Sequence, residues 1–429
     1  MDTQRTSLAE LSEAMRSNAL DVHDHLAELQ AAHDRREPAI HALLPESNRF
    51  DRLHAETDAL YARYPEPASR PPLFGIPVGV KDIIRTSGFQ ITAGSTLPPE
   101  LFAGPEAECV QRLRAAGALI LGITIATEFA GYAPPPTLNP HDANRTPGGS
   151  SSGSAAAVAA GYCPLALASQ TGGSVIRPAA FCGIYGFKPS YDRIPIAGVI
   201  PFAESLDTVG FYLDQLAGMS LVASVLCDDW QSPAAAAPVF GIPEGPYLES
   251  AESATIARFR ETCERIAAAG HPVKSVDLLS DFEDIRQRHV DLMAGECLAV
   301  HRDWYKQYGD RYAPESVTVI ERGRGIDEAR LAAARADRLV VREAVHTVMA
   351  AAGVTAWLTP AAPGPAPDTS TTGSPVMNMI WTYTGFPALT MPISCDAATN
   401  MSLGLQVVGK FGKDEALVQA CESLLPVLS

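Results

Sequence analysis

The chain has 429 residues, 46% hydrophobic and 19% charged, which is enough apolar material for a packed core and excludes global disorder. Thirty-three basic against 49 acidic residues leave a formal charge of −16. That charge repels phosphate backbones and anionic lipid, so neither nucleic acid nor a membrane is expected as a partner.

Residues 7–34 are expected to form a helix, because Leu8, Leu11, Met15, Leu20, Val22, Leu26 and Leu29 recur near helical spacing. Pro38 and Pro45 punctuate the chain beyond it, and a second helix is expected over about 47–64. The run Gly75-Ile-Pro-Val-Gly-Val-Lys81-Asp-Ile-Ile84 reads as a strand and its exit turn. A helix over 107–117 and a buried strand over 118–124 come next, and then a Pro/Asn/Gly loop from Gly131 to Gly149. Ser150 to Gly161 reads as a small-residue helix, and 164–169 as a strand. Gln231-Ser-Pro-Ala-Ala-Ala-Ala-Pro238 reads as a linker into a helix-rich stretch that includes an amphipathic helix over 326–352. Leu358 to Pro367 is expected to be an irregular Pro-rich turn, and Gly404–Gly409 a strand. Alternating strands and helices argue for an α/β layer architecture.

No basic segment followed by an apolar run opens the sequence, and the eight cysteines contain no Cys-x-x-Cys pair. Reduced thiols in a cytoplasmic protein are expected. No His-Glu-x-x-His occurs, so neither a metal nor a cofactor is expected. The uncharged stretch between Arg145 and Arg177 is rich in Gly and Ser and interrupted by Pro147 and Pro164, unlike a membrane span.

Two Gly/Ser clusters stand out: Thr146-Pro-Gly-Gly-Ser150-Ser151-Ser152-Gly153 and Ser169-Gln-Thr-Gly172-Gly173-Ser174-Val-Ile-Arg177-Pro178. Paired glycines beside a serine let backbone N–H groups approach a reacting oxygen, although tight turns with helix-capping serines would look similar. Lys81 is the third piece. The chain has six lysines among its 33 basic residues, so a lysine inside an apolar run is notable. A buried amine can lose its proton and act as a base, which arginine cannot; the structural alternative is a strand-end lysine paired with Asp82. Gly149-Ser-Ser-Ser-Gly153 formally matches the nucleophile elbow, but an Asn/Pro loop stands where its strand should be. Gly404 to Lys410 nearly matches a phosphate-binding loop but has a β-branched interior and no Ser/Thr after the lysine.

The set Gly75-Ile-Pro-Val-Gly-Val-Lys81-Asp, Gly148-Gly-Ser-Ser-Ser-Gly153 and Gln170-Thr-Gly-Gly-Ser174…Arg177-Pro-Ala…Gly186-Phe-Lys-Pro189 resembles the amidase signature family. Ser205-Leu-Asp-Thr-Val-Gly210, Leu358-Thr-Pro, Tyr383-Thr-Gly-Phe-Pro-Ala388 and Gly404–Gly409 look like further family blocks. The resemblance implies one α/β domain over 1–429, with a large twisted mixed sheet between helical layers. Within it, 1–65 would be a helical N-terminal segment, 70–215 the catalytic core, 230–355 a helix-rich variable cap or subdomain, and 356–429 a return to the core sheet. It also implies a Ser–cisSer–Lys triad: Ser174 as nucleophile, Ser150 as the bridging serine beside a cis peptide, and Lys81 as base. The N–H groups of Thr171, Gly172, Gly173 and Ser174 would form the oxyanion hole, and Ser151 and Ser169 would hydrogen-bond Lys81.

The sequence departs from the usual family pattern at Gln170, where a carboxylate is common, and at Arg177, three residues after Ser174 rather than two. The latter resembles the malonamidase-like branch. Arg177 would then bind a substrate carboxylate or only brace the loop. The implied function is hydrolysis of a small-molecule carboxamide through an acyl-enzyme, with carbamate, anilide or ester cleavage as close variants. The alternatives are the A subunit of a tRNA-dependent amidotransferase, and a non-catalytic binding protein on the same scaffold. A homodimer is plausible by family analogy. The aromatic residues of the loop 131–138, with Trp381 and Tyr383, are expected to line the pocket or, the commoner role for such residues, to pack in the core.

Overall fold

Continuous apolar runs such as Leu119–Thr124 and Leu165–Gln170, buried on both faces, are what an interior strand of a layered α/β sheet requires. The computed structural model describes residues 6–231 and 237–428. Among them ten strands build one mixed sheet: β1 Pro77–Lys81, β2 Leu119–Thr124, β3 Leu165–Gln170, β4 Tyr185–Lys188, β5 Thr208–Leu213, β6 Phe240–Glu244, β7 Val273–Asp277, β8 Ala356–Pro360, β9 Ala388–Cys395 and β10 Ser402–Gly409. Their order is β2-β1-β3-β5-β4-β9-β10-β8-β6-β7. The two flanks are parallel (β2/β1/β3 and β8/β6/β7), and the middle is antiparallel.

The helix Ser152–Ala160 packs against β1, β2, β3 and β5. All nine of its residues are buried, as a helix apolar on every side must be. It stops at Gly161, whose positive φ of 78° supplies the left-handed cap. The helix Ile176–Cys182 packs on β4, β9 and β10, and Asp414–Leu428 on β9 and β10.

The structure differs from expectation at four places. The first expected helix is two, Leu8–Arg16 and Val22–Ile40. Asn18 takes a left-handed φ of 65° and Asp21 caps the second helix through the His23 N–H, so the chain turns between them. The helix Val22–Ile40 runs past Pro38 because proline there interrupts only its last turn. The helix-rich stretch 230–355 also contributes β6 and β7, so the sheet extends through it. Leu358 to Pro360, expected in a turn, instead belong to β8, where Leu358 pairs with Val407 of β10, and the irregular chain starts after Pro360. The linker Gln231–Pro238 falls largely on residues 232–236, which lie outside the described residues.

Candidate active site

β1 and β3 run parallel, with Val80 opposite Leu167, so their carboxyl ends open on the same side of the sheet. That is where open α/β sheets place their ligands. β1 ends at Lys81 and β3 at Ser169-Gln170. The turn into helix Ser152–Ala160 brings Ser150 and Ser151 to the same point. Lys81 is fully buried, and its Nζ donates to Ser150 Oγ at 2.7 Å and to Ser169 Oγ at 2.7 Å. The Gly149–Ser150 peptide is cis.

Burial pushes the Lys81 amine down from 10.5 to about 7, and the Asp207 carboxylate pulls it back up. The two short contacts at Nζ are hydroxyls, which tolerate either protonation state of the amine. Asp207 is itself buried and pushed up to about 6 by desolvation, with its hydrogen bonds and Lys81 acting in the opposite sense. Its Oδ1 accepts from the Thr171 hydroxyl, and its Oδ2 accepts from the Phe202 and Ala203 N–H groups at 2.7 and 3.0 Å. From the sequence alone Asp207 has no role of its own beyond its place in a family-like block. The signal available was a carboxylate in an otherwise apolar strand entry, Ser205-Leu-Asp207-Thr-Val.

Ser151 corrects an expectation. Its Oγ donates to the Ser169 carbonyl at 3.2 Å and accepts from the Ser169 N–H at 3.3 Å. It therefore holds the serine that touches Lys81 rather than Lys81 itself, because both hydrogen-bonding capacities of its hydroxyl go to the Ser169 backbone. Asp82, offered as a partner for Lys81, is instead taken up by Thr92 and the Gly94 N–H.

Thr171 to Ser174 form the turn between β3 and helix Ile176–Cys182. The N–H groups of Val175 and Ile176 are taken by Gln170 Oε1, at 2.9 and 3.1 Å. Those of Gly172, Gly173 and Ser174 have no acceptor among the described residues. A side chain at Gly173 would have to displace Asn378, whose Nδ2 is held by the Ala361 carbonyl and Gln406 Oε1, because a Cβ there would lie 2.4 Å from Asn378 Oδ1. Tyr132, Thr171, Gly173, Ser174, Arg177 and Met293 line a narrow cavity. Of the aromatic residues expected at the pocket or in the core, Trp381 and Tyr383 are in the core, and Tyr132 reaches the cavity.

Arg177 is 2% exposed. Its Nη2 donates to the Gly149 carbonyl at 2.6 Å, bracing the peptide that carries Ser150. Its Nε and Nη1 are buried with no hydrogen-bond partner, and burial pushes the guanidinium down to about 10. A wider cleft of about 610 Å³ beside the helix Glu328–Ala352 contains none of these residues. Among the described residues no three His, Cys, Asp or Glu side chains gather as a metal site, and no helix is long and apolar enough to cross a membrane.

The family profile Amidase matches residues 28–418. The A subunit of the glutamyl-tRNA(Gln) amidotransferase of Nitratidesulfovibrio vulgaris (strain DP4) is 43% identical over 210 residues, 48% of this chain and 42% of that protein. Its counterpart in Thermus thermophilus is 52% identical over 145 residues, 32% of this chain and 31% of the relative. The chain thus spans less than half of these curated relatives' length. A solved amidase structure superposes with a TM-score of 0.87 at 28% identity, covering 98% of this chain and 99% of that one. From the shared fold and a family match across most of its length, the chain belongs to the amidase family.

Proposed function

We propose that the protein hydrolyses the C–N bond of a carboxamide through an acyl-enzyme, with Lys81, Ser150 and Ser174 as its catalytic triad. The observation that carries this reading is the fully buried Lys81 amine, 2.7 Å from Ser150 Oγ, in surroundings that bring it to about 7. Neutral Lys81 accepts the Ser150 proton as Ser150 accepts that of Ser174. Ser174 Oγ attacks the carbonyl carbon, and the N–H groups of the 171–174 turn stabilise the oxyanion. The proton returns through Ser150 to the leaving nitrogen, and the C–N bond breaks. Water then attacks the ester and releases the acid.

The buried cation of Arg177, at the cavity and with hydrogen-bonding capacity left at Nε and Nη1, favours an acyl group that carries a carboxylate. A second reading is an amidotransferase A subunit that releases ammonia from glutamine. The curated relatives favour it over a free-standing small-molecule amidase. Both readings share the same acyl-enzyme steps, and glutamine too is a carboxamide bearing a carboxylate.

The test is intact-protein mass spectrometry after exposure to a fluorophosphonate, comparing wild type with Ser174→Ala. One adduct on wild type, absent from the variant, is expected. An adduct that persists in the variant overturns the assignment of the nucleophile. A panel of short amides with and without a carboxylate, and glutaminase assays with and without partner subunits, then separate the two readings.

A further inference from the structure

The helix Val376–Tyr383 presents Asn378 and Thr382, four residues apart on one face, to the Gly172–Gly173 segment. Thr382 Oγ1 donates to the Gly172 carbonyl at 2.8 Å. Behind it, Gln170 Nε2 donates to Thr382 Oγ1 at 2.9 Å. The orientation of the Gln170 amide is fixed by its other end, because Oε1 receives two backbone N–H donors. A flipped amide would set its NH₂ against both of them. Gln170 therefore donates to Thr382, and the single hydroxyl proton of Thr382 must go to an acceptor. The Gly172 carbonyl, at 2.8 Å, is nearer than the Asn378 carbonyl at 3.2 Å.

In a trans peptide the N–H of one residue points opposite the preceding C=O. Holding the Gly172 carbonyl toward the helix turns the Gly173 N–H away from it, toward the cavity that Ser174 faces. We propose that Gln170 and Thr382 are positioning residues, a two-step relay that fixes the Gly172–Gly173 peptide and aims the Gly173 N–H at the substrate oxygen. This rests on the reading of the 171–174 turn as the oxyanion hole. The neutral amide at position 170 is essential to it. An ionised carboxylate only accepts hydrogen bonds, so it would draw the Thr382 proton to itself and release Gly172.

The experiment measures the second-order rate of fluorophosphonate labelling at Ser174, because the phosphonyl oxygen draws on the same N–H donors. Thr382→Val is expected to slow labelling about tenfold to a hundredfold, since losing an oxyanion donor outright costs more. Thr382→Ser keeps the hydroxyl and restores most of the rate. In Gln170→Glu, the rate relative to wild type falls with rising pH as the new carboxyl ionises. Labelling of Thr382→Val at the wild-type rate overturns the relay. So does a larger loss in Thr382→Ser than in Thr382→Val, which would assign the effect to the packing of the Thr382 methyl. A wild-type protein with no adduct at Ser174 overturns the nucleophile reading instead, and the relay falls with it.

Discussion

Lys81 is the residue at which burial and charge oppose each other most clearly. Desolvation alone favours a neutral amine, and Asp207 supplies the opposing negative charge. Asp207 also faces the Cys297 thiol on the helix Phe282–Tyr308, which is pushed up by burial and stays neutral around pH 7. With Asp207 as the acidic influence on Lys81, Asp207→Asn should lower the pH at which Lys81 loses its proton. In wild type the labelling rate is expected to rise as pH passes through about 7, where the base becomes neutral. In Asp207→Asn the midpoint of that rise should move to lower pH, whatever the variant does to the plateau. A midpoint that stays in place would mean that Asp207 does not tune the base. Lys81, Ser150 and Ser174 were legible as candidates because the two Gly/Ser clusters and the upstream lysine resemble a known family's motifs. Asp207, Gln170 and Thr382 were not legible as partners. Their meaning comes from β3 pairing with β5 and from a helix that returns more than two hundred residues later.

At the scale of the element, the helix Ser152–Ala160 holds Ser150 and Ser151 against β3. Its small side chains allow the close approach. A Cβ on Gly153 would lie 2.2 Å from the Ala42 carbonyl oxygen and 2.4 Å from the Ile125 nitrogen, both of them backbone atoms. The Gly153 N–H also donates to the Ile125 carbonyl at 2.8 Å, so the helix cannot shift without losing that bond. Gly153→Ala should therefore cost about 3 kcal/mol or more, at or beyond the upper end of ordinary overpacking. Urea unfolding checks this, and an unchanged midpoint would show that the helix start can move away. This helix was readable from its run of serines and alanines. The edge strand β7 was not, because Val273–Asp277 is mostly solvent-facing and lacks an interior strand's apolar run.

Over the whole molecule, the apolar composition and alternating elements indicated an α/β architecture, and the structure is a ten-stranded mixed sheet with helices packed on it. The sequence could not foresee how many ionisable groups this sheet encloses. Lys81 and Lys188 are both fully buried and both brought down to about 7, with Asp414 pulling Lys188 back up. Seven cysteines are buried, and burial pushes every one of their thiols up. The two sets act on stability in opposite directions. Between pH 7 and the ordinary lysine value of 10.5, the unfolded chain holds two protons that the folded chain has released. Stability therefore rises with pH there, by up to about 1.4 kcal/mol per pH unit for each lysine. Above the ordinary thiol value of 9.0, the unfolded chain ionises its cysteines while the folded chain keeps the buried ones protonated, so their effect is to lower stability as pH rises. Urea midpoints measured from pH 7 to 10.5 should climb, peak at about pH 9 where the thiols take over, and then decline. Midpoints flat or falling between pH 7 and 9 would show that Lys81 and Lys188 stay protonated in the folded protein, and Lys81 would then lack the neutral amine that the proposed chemistry requires.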